Sequence, residues 1–295
     1  MKLNYAQKSS LISIILIWPL IIAFTYFCIS VWHLDLLSGM SGFLRFIIIA
    51  LFSLFMSALS TLTIALFYPL AKNQNIIMTE LEQNGYSERF FALSEQEIQR
   101  IISKGRVFKD YRFFSQYVRF QADGYLFHNN VNAAVDCISR TNLADMEAHL
   151  KKIDTNAFLG YFDVQMAISE ELKDTARANA VLQDATPYIQ KRYGKDIYGD
   201  VMINEIYFLY YLTLGDLDNA LDYAQRCANR CNPPIPFCTF IGNALYAKAY
   251  TQSGQFDKAE ERISIAESAS KTTLHKQITA QLRNKLNAAR TASGI

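Results

Sequence analysis

Residues 250–267 read YTQSGQFDKAEERISIAE: an aromatic residue, a glycine in a polar turn, then Phe256, Ala259, Ile263 and Ala266 at helical spacing. Residues 212–227, LTLGDLDNALDYAQRC, repeat the arrangement. Tyr211, Gly215, Leu217, Ala220 and Ala224 there correspond to Tyr250, Gly254, Phe256, Ala259 and Ile263. An earlier copy, ADGYLFHNNVNAAVDCI at 122–138, supplies Ala122, Tyr125, Val131, Ala134 and Ile138, and a weaker fourth has Ala167, Ala176 and Ala180 with Pro187 beyond them. A small side chain such as Ala259 lets one helix approach the next closely while Phe256 fills the space beside it. One helical hairpin cannot bury its apolar face alone, so recurrence of the pattern predicts stacked hairpins.

The pattern resembles tetratricopeptide repeats over about residues 113–270, most closely in the last two copies. The expected fold class is therefore all-α: an N-terminal transmembrane helical hairpin followed by a cytoplasmic TPR-like α-solenoid. The alanines at 134, 176, 220 and 259 are 42, 44 and 39 apart, whereas the family repeat is about 34. Insertions are expected at LADMEAHLKKI and NRCNPPIPFC, and an α-solenoid with longer repeats is the alternative. The family's geometry implies a groove faced by Arg119, Asp123, Tyr161, Gln165, Glu205, Leu209, Lys248 and Gln252. These are mixed in sign and do not reproduce the Lys, Asn and Arg set with which some members clamp a peptide's terminal carboxylate.

The first 70 residues have a different character. No Lys, Arg, Asp or Glu stands between Lys8 and Asp35, or between Arg45 and Lys72. Each gap is long enough to cross a hydrocarbon layer of about 30 Å as a helix. Two spans, at about 10–32 and 45–70, joined by a tight turn at HLDLLSGMSG, are the economical reading. A cleavable signal peptide fits less well, because the first run exceeds the usual apolar core of about 7–15 residues and no small-x-small site follows it. Lys2 and Lys8 precede the first span and Lys72 follows the second, so both termini are expected at the cytoplasmic face of the plasma (inner) membrane. Ser53, Ser57, Thr61 and Ala65 form a small face on the second span, suited to packing within the hairpin or to a homo-oligomer contact.

Residues 71–112 are expected as a helical stalk, with Ser94 and Glu97 as a capping box and Gly85 and Gly105 as stops. Leu274, Ile278, Leu282 and Leu286 form a stripe in a basic helix at 271–295, which either caps the last repeat or lies on the anionic inner leaflet; capping is the favoured reading.

A net charge of +2, without interleaved aromatic and basic residues, argues against nucleic acid as a partner. Cys227, Cys231 and Cys238 cluster without a histidine nearby, so they read as small packing residues rather than as a zinc site. No phosphate loop, HExxH, GxSxG or paired-carboxylate signature occurs, so neither catalysis, cofactor nor metal is expected. The reading that follows is a membrane-anchored scaffold or adaptor, held in the bilayer by two helices and binding a protein or peptide partner. The alternative is a non-catalytic structural subunit of a larger membrane complex.

Overall fold

A computed structural model of the chain describes residues 74–150, 155–230 and 235–294. The expected membrane spans, at about 10–32 and 45–70, and the small face on the second lie outside the described residues, as does Cys231. Among the described residues the structure is all-helical, and no helix is long and apolar enough to cross a membrane.

A helix at 74–84 (α1) is followed by α2 (Glu88–Ser103). Four hairpins then follow, built from α3 (Tyr111–Phe127) with α4 (Val131–Ile138), α6 (Thr155–Leu172) with α7 (Thr175–Arg192), α8 (Ile197–Leu214) with α9 (Leu217–Ala228), and α10 (Pro236–Gln252) with α11 (Phe256–Ala269). The segment LADMEAH forms a short extra helix, α5 (Leu143–His149), between the first two hairpins, where an insertion is expected from the repeat spacing. The last helix is α12 (Thr273–Ala292).

The four hairpins share one turn. Asn129, Lys173, Gly215 and Gly254 adopt left-handed φ angles of 55°, 55°, 76° and 73°. The next residue's amide donates back across each helix end: Asn130 to the Tyr125 carbonyl at 2.8 Å, and Asp174, Asp216 and Gln255 to Ser169, Tyr211 and Tyr250, each at 2.9 Å. This is the bond that closes a helix terminus through a left-handed residue. The side chains of Asn130, Asp174 and Asp216 then cap the following helix by accepting from the amides of Ala133, Arg177 and Asn219. Five residues beyond each left-handed residue lies an alanine with no exposed surface: Ala134, Ala178, Ala220 and Ala259.

The second hairpin corrects the sequence register. Ala176 and Ala180 are exposed, and Ala178 occupies the helix contact instead. A lysine at a left-handed turn gives no glycine signal from which to count.

Residues 74–103, expected as a stalk, form α1 and α2, and Ile77, Leu81, Phe90, Ile98 and Ile101 are buried in the core shared with Tyr117 and Val118 of α3. The expected capping box is also displaced. Ser87 caps α2 by accepting from the Phe90 amide, while Ser94 is buried within the helix, where its hydroxyl donates to the Phe90 carbonyl at 2.8 Å and accepts from Gln121 at 3.0 Å. Serine followed three residues later by glutamate thus serves here as a core polar contact rather than a terminus.

The stripe on α12 packs against the last hairpin. Leu286 is fully buried with Ala247, Phe256, Ala259 and Ile263, and Leu282 and Ala289 lie against the same cluster.

Candidate functional site

The first helix of each hairpin faces a common groove, and α12 walls its other side. The cavity there measures about 330 Å³. Each shared turn fixes the axial position of the helix before it, so side chains at equal distances from the turns fall into rows. Ten residues before the left-handed residue stand Arg119, Asp163, Glu205 and Ala244, and six before it stand Asp123, Ala167, Leu209 and Lys248. Leu126, Phe127, Ile241, Leu245, Ile278 and Leu282 add apolar wall, and Tyr86 enters from the α1–α2 connection.

The groove residues implied by the family resemblance are distributed as follows. Asp123, Glu205, Leu209 and Lys248 line this cavity. Arg119 and Tyr161 line a second one of about 250 Å³, with Arg112, Gln116 and Asn156. Gln165 donates to the Tyr161 hydroxyl at 3.1 Å and accepts from Arg177 at 2.6 Å, so it is engaged beside that second cavity. Gln252 donates to Glu170 at 2.7 Å. On α6 the groove is lined by Asp163, Ala167 and Glu171 rather than by Tyr161 and Gln165, the same two-residue displacement that moves Ala176 to Ala178. Sequence reading missed these three together with Tyr86, Gln281 and Lys285. Counting from Lys173 as though it were a glycine recovers the α6 residues; nothing in the repeat pattern points to the α12 pair.

The charges sort into two groups. Lys248 donates to Glu170 at 2.5 Å and lies 3.8 Å from Glu171, and Lys285 lies 3.3 Å from Glu171. Burial works against the charge on Glu170, but the Lys248 ammonium and hydrogen bonds from Lys173, Lys248 and Gln252 hold its carboxyl down to about 2. Lys248 and Lys285 are thus engaged by these two glutamates, with Lys173 as a third cation on Glu170.

Asp123, Asp163 and Glu205 have no such partners. None makes a hydrogen bond or an ion pair within 4 Å among the described residues, and Asp163 Oδ1 is buried without any hydrogen-bond partner. Burial pushes Asp123 up to about 6, with the Arg119 charge pulling the other way. Burial pushes Glu205 up to about 7, reinforced by the charge on Asp123 and opposed by Lys248 and Arg119. Burial, then the charges of Glu205 and Asp123, raise Asp163 well above the usual carboxylate range. Arg119 acts at a distance: its guanidinium lies over the Phe120 ring, 4.6 Å from the centroid, and its buried Nε has no hydrogen-bond partner. A Cβ at position 160 would overlap that guanidinium, so Gly160 provides the room it occupies.

No family model matches the chain, nor does any curated protein or solved structure.

Among the described residues no group of histidine, cysteine, aspartate or glutamate side chains is arranged to hold a metal ion. Cys227 and Cys238 are buried thiols, and burial pushes the Cys227 thiol far up, which makes it a packing group rather than a nucleophile. The arrangement offers recognition: an apolar wall around a floor of uncompensated carboxyl groups, presented by helices whose axial positions are fixed by repeated turns.

Proposed function

We propose that the protein is a membrane-anchored, TPR-like scaffold or adaptor whose helical-repeat groove binds a protein or peptide segment at the cytoplasmic membrane surface. The observation that carries this reading is the groove between the hairpins, where residues from α3, α6, α8, α10 and α12 converge on one cavity and one carboxylate oxygen, Asp163 Oδ1, is buried without a hydrogen-bond partner. Buried polar groups are normally satisfied, and those left unsatisfied in a cleft are where a ligand gains most by supplying the missing partner. The two uncharged runs supply the anchor, and the lysines outside them favour cytoplasmic termini.

A photo-crosslinking amino acid in place of Leu209, on the groove wall, tests the binding function in cells. A discrete crosslinked protein, lost when the same probe is moved to the exposed position 180, is the expected result. Crosslinking equal at the two positions, or at neither, would count against the groove. The anchor is tested separately with a cysteine at Ser38, which should react with an impermeant reagent from outside the cell while one near the C-terminus does not.

A further inference from the structure

We infer that the groove takes a cationic side chain, lysine or arginine, from the partner segment, with its aliphatic stem along the apolar wall and its charged head between Asp123, Asp163 and Glu205. The inference rests on the proposed binding groove and specifies what enters it.

The charge balance inside the cavity leads to this. Lys248, Lys285 and Lys173 pair with Glu170 and Glu171, which leaves Asp123, Asp163 and Glu205 without an ion pair of their own, reached by the charges of Arg119 and Lys248 only at a distance. Arg119 makes no ion pair within 4 Å with any of the three, its guanidinium lying over the Phe120 ring and its Nε without a hydrogen-bond partner. Asp163 Oδ1 lies buried on the cavity wall with no donor, an acceptor removed from water and left unused. A carboxylate deprived of water is costly unless a charge and a donor reach it together, and an ammonium or guanidinium brings both.

The surroundings select the rest of the ligand. Leu126, Leu209, Leu245 and Ile278 border the acidic floor, so a ligand must cross apolar surface before its charge arrives. Lysine and arginine have that construction, three or four methylenes carrying a cationic head. An anionic segment would meet three like charges, and a purely apolar one would leave Asp163 unpaired. Partial burial raises the proton affinity of all three half-buried carboxyl groups, and protonation is the alternative way to neutralise them when no cation is near. Entry of a cation should therefore expel protons near neutral pH.

The test uses the full-length protein in mild detergent and three fluorescein-labelled peptides of sequence Gly-Ser-Leu-X-Leu-Ser-Gly, in which X is lysine, Nε-acetyl-lysine or glutamate. Fluorescence anisotropy at pH 7.5 and low salt reads the binding. The lysine peptide should bind at least tenfold more tightly than the other two, and the double variant Asp163→Asn, Glu205→Gln should lose that preference. The acetylated peptide makes the comparison independent of how the variant folds, because it removes the charge from the ligand instead. Equal binding of the lysine and acetyl-lysine peptides, an undiminished preference in the double variant, or no binding of the lysine peptide each overturns the inference. Crosslinking at Leu209 combined with charge-blind peptide binding would leave the groove as the partner site and remove only the cationic ligand.

Discussion

The side-chain amide of Gln277 donates at 3.0 Å to the carbonyl oxygen of Asn84, 193 positions earlier in the chain. One turn further along α12, Gln281 donates to the carbonyl of Phe127, at the end of α3. The last helix thus touches the connection after α1 and the end of α3 as well as the last hairpin it covers, and so gives the groove a second wall. A solenoid must cover its terminal apolar face. Here the covering helix also contributes Gln281 and Lys285 to the groove.

Leu286 should anchor α12. It is fully buried against Phe256, Ala259 and Ile263, and Leu286→Ala should cost about 2–5 kcal/mol. For a domain of this size that is a fall in Tm of about 5–15 °C. Gln277→Ala removes a bond at the surface and should cost no more than about 1 kcal/mol. Thermal melts of the two variants in the same detergent check the contrast; a Leu286→Ala melt equal to that of the unsubstituted protein would mean that α12 does not pack here.

The last two hairpins were legible in the sequence because Gly215 and Gly254 mark their turns and Ala220 and Ala259 follow at equal distances. The second hairpin was not, since Lys173 holds the same left-handed conformation without the residue type that announces it. That one substitution moved the groove face of α6 by two positions and hid Asp163, the residue with the unpaired buried oxygen. The wall formed by α12 was illegible for another reason. Amphipathic spacing shows that a helix has a buried side, but not that its N-terminal half also reaches Asn84 and Phe127. Half of the expected groove residues line the observed cavity, and those that do lie on α3, α8 and α10, whose register the turn residues set correctly.

The corrected register can be tested directly. Ala178 is fully buried whereas Ala176 is exposed. Ala178→Leu should overpack the α7 contact and destabilise the domain by about 1–3 kcal/mol, while Ala176→Leu should stay within about 0.5 kcal/mol of neutral. Chemical denaturation of the pair decides it, and a larger penalty at 176 would restore the register inferred from sequence.

The shared turn makes a separate prediction at Gly215. Its φ is 76° and no atom lies within 4 Å of where a Cβ would stand, so an added methyl meets open space and only the backbone conformation is penalised. Gly215→Ala should cost about 1–2 kcal/mol. Gly215→Asn should cost less, because asparagine tolerates the left-handed region and Asn129 already holds it in the first hairpin. Equal melting of the alanine and asparagine variants would show that the turn is not under this constraint.

The carboxyl cluster should also set the pH dependence of stability. Burial raises Asp123 to about 6, Glu205 to about 7 and Asp163 well above its ordinary value, so the folded protein binds protons that the unfolded chain releases. A raised carboxyl contributes stability that is fully present below the unfolded pKa and lost as pH rises through the folded one. The contribution therefore falls between about pH 4 and pH 7. Glu170 works in the opposite direction: held down to about 2, it contributes stability above its unfolded pKa that is lost as pH falls toward 2. Taken by themselves, these four groups favour mildly acidic pH over neutrality. In the double variant Asp163→Asn, Glu205→Gln, two of the three raised groups no longer titrate. At pH 8 it should be more stable than the unsubstituted protein, read as a higher Tm, because the carboxyl groups it lacks are the ones that burial penalises when ionised. That advantage should shrink as the pH is lowered to about 4.5, where the carboxyl groups are protonated in the folded state and the unfolded chain begins to take up protons as well. Melting curves for both proteins from pH 4.5 to 8 that run parallel would show that the cluster is not buried as described.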